Sequence, residues 1–522
     1  MRQLLASCLG AALGLTAFTR AEEVEWRSAT KSMTVSQTGY EATKLPDKSP
    51  DRQENPPVER ELRIQPHYLQ SQSNKQFSAT KESQSQKIEP KTSNDPHENP
   101  IPGPCEWKPV SDQPIFDRVA EHANGQDGAP GDSGSPFFFR AEFLMWWIRG
   151  MNAPPLVSTG TLPPPPVFTG IENPRVLYGN GVVGGQFMPG ARFSAGAWFD
   201  CCQTCGIEGS FFFLGRRTDR FRADSVEDNL PVLLRPITAP NLVNGAPIGE
   251  TNEVTAFPPG FVFPPGSPFA GQPVASQTGV IDVTTSSALW GAELNLKEAL
   301  KVCGTCCGGV RVDLFGGFRF LDLQEYLRVN ENVVLGNGDL FGRPAGTRLF
   351  LQDFFGTRND FYGGQLGLHA EWRRQRWFAE LRSSFAFGDT HQHLLIDGFL
   401  TETPPGGTTT VFPGGLLALP GANIGSYNID RFSFVTEQTL NFGYQLRPWC
   451  RAFVGYNFLF WTNVMRPGDQ IDRVVDVTRI PRFLPPPIAA TIAPVVPPRP
   501  MVLFRQTDFW AQGIQLGVEL KY

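Results

Sequence analysis

Two short cysteine-rich segments carry the residues with the clearest capacity for chemistry. They read CCQTC (201–205) and CGTCC (303–307), and their six thiols belong to Cys201, Cys202, Cys205, Cys303, Cys306 and Cys307. The Cys-x-x-Cys pair within each segment matches the ligand spacing of a four-thiolate zinc site. An exported chain favours disulfides instead. Because adjacent cysteines rarely bond to each other, we expect disulfides that link the two segments, and we assign no metal ion.

A second polar group lies at 389–393, where the sequence reads Asp-Thr-His-Gln-His. Such a group could bind a metal or supply a catalytic base, but nothing in the sequence specifies a nucleophile for it. We therefore interpret it as solvated surface. The segment 179–184 fits G-x-G-x-x-G, yet no strand–helix–strand pattern surrounds it. The sequence predicts no enzyme and no cofactor, and a barrel enzyme is the minor alternative.

Composition and charge exclude several classes of protein. The 522 residues include 46 Lys+Arg against 51 Asp+Glu, a net charge of −5, so no cationic excess is present to neutralise the phosphates of a nucleic acid. The 53 Gly and 47 Pro argue against a mostly helical fold. Uninterrupted apolar runs of about 18 residues are missing, which argues against membrane-spanning helices.

The N-terminal quarter of the chain differs from the rest. Residues 1–21 have a basic start, an apolar stretch and a small-residue end, which is typical of a secretory signal peptide. Residues 22–135 are polar and hold only six aromatic side chains, so they cannot bury enough apolar surface to fold. We expect this segment to be a disordered periplasmic tether, and the sharper alternative is an arm that contacts the cell wall.

From residue 136 onward the sequence alternates between apolar and polar residues with a period of two. We count ten such segments: 137–148, 190–200, 206–216, 286–297, 308–321, 361–373, 376–388, 432–447, 450–461 and a last one that ends at Tyr522. They are twice as long as the strands of a soluble sandwich, and large aromatic residues stand at their apolar ends. The last segment has Gln512 as an exception on its apolar face. The pattern predicts an all-β fold, an antiparallel transmembrane β-barrel of about ten strands (range eight to fourteen).

The connections between these segments alternate between short and long. The long ones fall at 149–189, 217–285, 322–360, 389–431 and 462–508. Outer-membrane barrels have short periplasmic turns and long external loops, so residues 136–522 match that organisation. An even number of strands places both chain ends on the periplasmic side.

Charged residues on the polar faces of the strands are candidates for the barrel lumen. They are Glu293, Arg311, Arg319, Glu371, Arg373, Glu380, Arg382, Glu437 and Arg447. Either they pair to form a polar plug, or they line an aqueous pore. A ten-stranded barrel has a small interior that side chains nearly fill.

The opening segment FFFRAEFLMWWIRGMNAPPLVSTG (137–160) carries a family resemblance. Its acidic residue Glu142, the pair Trp146 and Trp147, and the run from Pro154 to Gly160 are similar to the opening signature of the beta barrel porin-seven family of planctomycetes. The likeness covers about 136–522. It implies a barrel in the outer membrane and brings no ligand or catalytic residue with it.

Together these features predict a bacterial outer-membrane β-barrel protein, either structural or a porin-like passive channel. Its expected partners are the outer-membrane lipids, the barrel-insertion machinery and, through the tether, the cell wall, with no nucleic acid. The oligomeric state is left open. The alternative is a secreted or surface-exposed β-rich binding or adhesion protein.

Overall fold

The computed structural model describes residues 136–522 apart from 166–169, 201–202, 241–246, 266–269, 306–307, 340 and 484–495. The predicted signal peptide (1–21) and tether (22–135) lie outside the described residues and stay predictions. So do four of the six candidate cysteines, namely Cys201, Cys202, Cys306 and Cys307.

The described residues form seventeen strands and two short 3-10 helices, Pro467–Gln470 and Val477–Arg479. The strands are β1 (Phe137–Ile148), β2 (Met151–Ala153), β3 (Val157–Thr161), β4 (Glu172–Tyr178), β5 (Gly181–Val183), β6 (Phe187–Trp198), β7 (Cys205–Asp224), β8 (Leu233–Pro240), β9 (Pro247–Ala256), β10 (Gln277–Thr305), β11 (Gly308–Leu335), β12 (Arg348–Arg374), β13 (Trp377–Thr403), β14 (Thr410–Pro413), β15 (Gly425–Arg447), β16 (Cys450–Met465) and β17 (Gln506–Lys521). In these residues no helix is long and apolar enough to cross a membrane.

Ten of the strands close into one antiparallel barrel. Their order around the wall is β1, β6, β7, β10, β11, β12, β13, β15, β16 and β17, and β17 pairs with β1. The expected all-β barrel of ten strands is confirmed. Closure leaves no free sheet edge in the wall, so every strand can satisfy its backbone hydrogen bonds within the barrel.

The longest strands extend well beyond the segments predicted from the sequence. β10 to β13 have 27 to 29 residues each. Their outer faces change from apolar to polar halfway along, as at Asp282, Thr284 and Ser286 of β10. Backbone pairing continues past this change, whereas the apolar alternation that marks a lipid-facing strand does not.

The two ends of the barrel differ in their connections. At one end, here the turn end, neighbouring strands are joined by short turns at 199–204, 375–376 and 448–449. At the other, the loop end, the connections are 149–186, 225–276, 336–347, 404–424 and 466–505. Phe137 and Tyr522 both lie at the turn end, where their backbones hydrogen-bond to each other as β1 pairs with β17.

A ring of aromatic side chains surrounds the wall, with one contributed by every barrel strand. We call it the upper girdle. The registers place its members directly opposite each other in five pairs: Phe213 with Trp290, Phe320 with Tyr362, Phe387 with Phe434, Phe460 with Trp510, and Trp147 with Phe187. The rings of Trp290 and Phe320 join two of these pairs, with centroids 4.8 Å apart.

An apolar band separates the upper girdle from a second set of aromatic residues at the turn end. The band is strongly exposed, as at Leu296 (62%) and Leu366 (64%). On β12 ten residues separate Tyr362 from Trp372, which is about 33 Å of strand at 3.3 Å per residue. With a tilt of about 40°, this length spans about 25 Å, the height of the apolar band of outer-membrane barrels.

The loops fold into a cap at the loop end, which we define as the described parts of the five long connections and the strand ends around them. The cap contains the four-stranded sheet β4-β3-β8-β9 and the β2-β5 pair. Its apolar core joins loop residues such as Leu233 and Leu417 to barrel residues such as Leu327 and Phe355. The cap is therefore packed into the upper barrel.

Candidate functional site

The lumen between the turn end and the middle of the barrel holds a network of charged side chains. Eight of the nine sequence candidates lie in it: Glu293, Arg311, Arg319, Glu371, Arg373, Glu380, Arg382 and Glu437. The charged residues that complete it, beyond those candidates, are Arg140, Glu142, Arg192, Glu208, Lys297, Asp313, Arg451, Glu519 and Lys521.

Arg451 of β16 is the centre of this network. It is 3% exposed, and its guanidinium donates to Glu371 (2.9 Å), Glu380 (2.6 Å) and Glu519 (2.8 Å). Arg140 of β1 shares two of these partners, because it contacts Glu519 at 2.6 Å and Glu380 at 3.0 Å. Five strands, β1, β12, β13, β16 and β17, are thereby joined across the lumen by two guanidinium groups.

Two further clusters lie beside this centre. Arg382 contacts Glu208 at 2.7 Å and Glu293 at 2.8 Å, and Lys297 also contacts Glu208, at 2.9 Å.

The second cluster centres on Glu437. Arg192 and Arg319 both donate to it, and the Asn457 amide adds a hydrogen bond of 2.6 Å. These carboxylates have several charged or amide partners each, which is the condition under which buried ions are tolerated.

The charges of the network nearly cancel. Its nine cationic groups are Arg140, Arg192, Lys297, Arg311, Arg319, Arg373, Arg382, Arg451 and Lys521, and its eight carboxylates are Glu142, Glu208, Glu293, Asp313, Glu371, Glu380, Glu437 and Glu519. One positive charge is left over. Such a balance suits a plug of paired side chains, whereas a selective pore is typically lined by an excess of one sign.

Glycines on the lumen face make room for aromatic rings that support the arginines. Phe378 lies directly opposite Gly443 on the next strand, and a Cβ at Gly443 would meet the ring at 2.3 Å. Arg451 stacks on this ring, 4.3 Å from its centroid. The glycine thus places the ring, and the ring holds the guanidinium by a cation–π contact.

The same arrangement occurs twice more. Phe453 opposes Gly517 and carries Arg140 at 4.8 Å from its centroid. Phe315 opposes Gly367 and carries Arg382 at 4.1 Å. Part of the glycine content of the strands is therefore explained by this packing.

An apolar layer lies above the charged network, inside the barrel. Its largest members are Trp146, Phe212, Phe361, Trp461 and Phe509, which are between 0% and 4% exposed. The rings of Trp146 and Phe212 are 5.5 Å apart, and those of Phe361 and Trp461 are 6.1 Å apart. Large aromatic side chains from opposite parts of the wall fill this cross-section.

A loop residue seals the lumen above the apolar layer. Arg466, in the loop that follows β16, is fully buried and donates to both oxygens of Glu325 at 2.6 Å. It also donates to the backbone oxygens of Arg149 (2.8 Å) and Gly150 (3.0 Å). The connection that begins at Arg466 is thereby fixed inside the barrel.

Below these layers the charged network surrounds a small cavity. Its volume is about 90 Å³, and its lining includes Arg140, Lys297, His369 and Lys521. A water molecule occupies about 30 Å³ in the liquid, so the cavity has room for a few waters.

Arg447 is the one candidate lumen charge that lies elsewhere. It is exposed at the end of β15, and no ion pair of the described residues includes it. The register between β15 and β16 shifts between Gln445 and Arg447, just before the turn at 448–449. Regular alternation in the sequence cannot reveal such an irregularity at the rim of the barrel.

A possible metal triad in the network is already occupied by a cationic side chain. Ligand atoms of His369, Glu371 and Glu380 lie within 4.8 Å of one another. Both carboxylates, however, bind the guanidinium of Arg451. A metal ion would have to displace this group, so we assign no metal to the triad.

The described cysteines are consistent with neighbouring positions for the two cysteine-rich segments. Cys205 is exposed with a free thiol at the start of β7, opposite Glu298 of β10. The end of β10 contains Cys303. Because β7 and β10 are adjacent, Cys205 and Cys303 both lie at the turn end. The disulfides between them stay a prediction.

The group at 389–393 lies on the outer wall rather than in a cleft. Asp389 is opposite the girdle residue Tyr362, so the group begins just above the aromatic ring. His391 Nδ1 contacts Asp430 at 2.6 Å, and His393 Nε2 contacts the Ser426 hydroxyl at 2.8 Å. These side chains form cross-strand pairs on an exposed surface and enclose no substrate pocket.

Comparison with solved structures yields distant barrels. The outer membrane protease OmpT from Escherichia coli is 8% identical, with 76% of this chain and 99% of that chain covered and a TM-score of 0.31. A mutant of the monoaromatic hydrocarbon channel TodX is 9% identical, with 74% and 91% covered and a TM-score of 0.18. The comparison with curated proteins gave no match.

The family comparison is more informative. Residues 138–522 match the family described as "Putative beta barrel porin-7". This match covers the whole barrel and its cap, from the first residues of β1 to the last residue of β17. The chain therefore belongs to the beta barrel porin-7 family.

Proposed function

We propose that this protein resides in the bacterial outer membrane as a closed β-barrel that anchors the cap at the cell surface. The observation that carries the proposal is the filling of the lumen by three successive layers. These are the charged network around Arg451, the aromatic layer around Trp461 and the buried Arg466–Glu325 pair. A passive channel would require a continuous polar path, and the aromatic layer interrupts it.

The outer wall supports the location. Its apolar band has the height of a hydrocarbon layer and lies between the upper girdle and a second set of aromatic residues. In this assignment the turn end faces the periplasm, where the tether (22–135) would join β1. Outer-membrane lipids and the barrel-insertion machinery are then the direct partners of the barrel, and the cell wall is a partner of the tether.

The proposal includes no enzymatic activity. The histidines at 391 and 393 lie on the outer wall, where Asp430 and Ser426 engage them. Such pairs stabilise the wall above the membrane and position no reacting group.

The membrane part of the proposal is tested by the behaviour of the purified protein. We expect the full chain to be recovered in the outer-membrane fraction, to need detergent for extraction and to migrate faster in a gel when it is not boiled. Full solubility without detergent would refute membrane residence and favour the alternative of a secreted binding protein.

A further inference from the structure

The lipid-facing wall contains a polar region that its apolar character does not explain. Between the upper girdle and the turn end, five outward side chains can form hydrogen bonds through an amide or hydroxyl group. They are Ser383 of β13, Thr436 and Gln438 of β15, Tyr456 of β16 and Gln512 of β17. We call them the polar strip. All five lie on four adjacent strands, on one side of the barrel.

The other six strands carry no polar side chain at the same two levels of the wall. Their outward residues there are Met145 and Phe143, Pro189 and Ala191, Phe211 and Gly209, Ala292 and Leu294, Phe318 and Gly316, and Gly364 and Leu366. Polarity at this depth is therefore confined to one face. This is an uneven distribution for a wall that contacts lipid on every side.

The depth of the strip makes it costly in lipid. Gln438 is four residues from the girdle residue Phe434, which is about 13 Å along the strand and about 10 Å in depth at a 40° tilt. It is directly opposite Ser383 in the register, so both lie near the middle of the apolar band. Headgroups and water do not reach this level.

The strip satisfies only part of its own hydrogen-bonding capacity. Gln438 Nε2 donates to the Thr436 hydroxyl at 3.0 Å, and the Tyr456 hydroxyl donates to Gln512 Oε1 at 2.8 Å. Within the described part of the chain, Gln438 Oε1 and the Gln512 amide N–H groups have no partner. An unsatisfied amide is strongly disfavoured in hydrocarbon, because nothing there replaces the hydrogen bonds that it makes with water.

We propose that the polar strip is the interface with a second copy of this chain in the membrane, an inference that rests on the proposed function. Two copies inserted in the same orientation present identical groups at identical depth. A two-fold axis along the membrane normal brings Gln438 opposite Gln438, and Gln512 to the level of its counterpart. A carboxamide both donates and accepts, so two such groups are complementary to each other.

The inference is tested by photo-cross-linking of the full chain in outer membranes. A benzophenone side chain is placed at Gln438 or, as a control at the same depth on β12, at Leu366. We expect a product with twice the mass of the chain from position 438 and none from position 366. Cross-links to a different protein, or no product above that of the control, would overturn the inference.

Sedimentation in detergent gives a second readout that does not depend on the probe. Replacing both glutamines (Gln438→Leu with Gln512→Leu) should weaken dimerisation by roughly tenfold or more, since four amides per dimer are lost. Gln438→Asn should retain association, and Phe211→Leu on β7, on the opposite side of the barrel, should not change it. Undiminished dimers in the double variant would contradict the proposal.

Different results would refute the proposal of membrane residence and the proposal of the dimer interface. A double variant that still migrates faster when unboiled is folded in its barrel, so loss of dimers then reports on the interface. A wild-type chain that never shows this shift would refute membrane residence instead. A wild-type barrel that shows the shift but stays monomeric in lipid nanodiscs would refute the interface alone.

Discussion

At the scale of single residues, the lumen depends on charged side chains that are largely buried, such as Arg451 and Glu519, which are both 3% exposed. Most carboxylates of the network are stabilised by guanidinium, ammonium or amide groups from other strands, as Glu437 is by Arg192, Arg319 and Asn457. Removing one partner leaves the others buried and uncompensated, which costs more than the pair contributes.

Of the residues in the network, we expect Arg451 to contribute most to the free energy of unfolding. Arg451→Met removes the shared partner of Glu371, Glu380 and Glu519, so we expect the free energy of unfolding to fall by about 3–5 kcal/mol. The measurement is urea-induced unfolding in lipid vesicles. Arg447→Met is the matched control, because Arg447 is exposed at the rim, and it should change stability by no more than about 0.5 kcal/mol. Equal effects of the two variants would contradict the assignment of a central role to Arg451.

A buried acid in the cap predicts a dependence on pH. Burial raises the pKa of Glu253 to about 8, with Arg482 opposing the shift and the neighbouring Glu331 adding to it. Arg482 donates to both carboxylates, while Arg235 pairs with Asp353 at 2.7 Å and lies 3.6 Å from Glu331. Three acids thus share two guanidinium groups, and one bound proton makes the cluster neutral.

The sign of the effect follows from the raised pKa. In the folded cap, Glu253 keeps its proton up to about pH 8, whereas in the unfolded chain it loses this proton above about pH 4.5. The stabilisation that the proton provides is therefore complete below pH 4.5 and is lost as the pH rises to about 8. We expect hydrogen exchange in β9 and in 470–483, corrected for intrinsic rates, to accelerate across this window. Glu253→Gln should abolish that dependence. A pH response that is identical in the variant would show that another group titrates.

At the scale of elements, the sequence predicted the wall better than the contents of the lumen. Period-two alternation located all ten barrel strands, because an apolar outer face and polar packing inside the barrel impose it on each strand. The alternation also contains the signal for Arg451 and Glu519, which lie on the polar faces of their own strands. It is weak near Arg192 and Glu208, where small residues interrupt the pattern.

Other features had no local signal. In β10 to β13, the half of each strand nearer the loop end packs against loops that are distant in the sequence. The hydrophobicity pattern of these halves therefore resembles neither a lipid-facing strand nor a loop. The aromatic layer is built from single inward residues of many strands, such as Phe361 and Phe509. Only the register brings them to one level.

One loop is held in the upper barrel by a single carboxylate. Asp353 Oδ1 accepts backbone N–H groups of Leu416 (3.0 Å), Leu417 (2.9 Å) and Ala418 (2.9 Å), and its Oδ2 accepts from Arg235. Hydrogen bonds to a charged acceptor are worth about 1.5–3 kcal/mol each. Asp353→Asn should therefore accelerate hydrogen exchange in 414–424 by roughly tenfold or more.

The control for this loop is an acid with few contacts. Asp430→Asn changes a side chain that is 65% exposed on the outer wall, so exchange in 414–424 should stay at the wild-type rate. If Asp353→Asn behaved like this control, the loop would be held by its apolar packing alone.

At the scale of the whole molecule, the wall and the lumen differ in composition. The wall presents an apolar band with two aromatic boundaries, and the polar strip interrupts this band near the middle of its height. The lumen is filled in turn by charges, aromatic rings and loop residues, which supports the proposal that the barrel is a closed support for the cap.

Ion conductance across a planar lipid bilayer tests the closed lumen most directly. Protein that migrates faster when unboiled, and is therefore folded, is inserted and a voltage is applied across the membrane. We expect the current to stay at the level of the protein-free bilayer, because the aromatic layer around Trp146 and Trp461 offers no polar path. Stable, ohmic conductance steps from the wild-type protein would contradict the account and assign a porin-like channel instead.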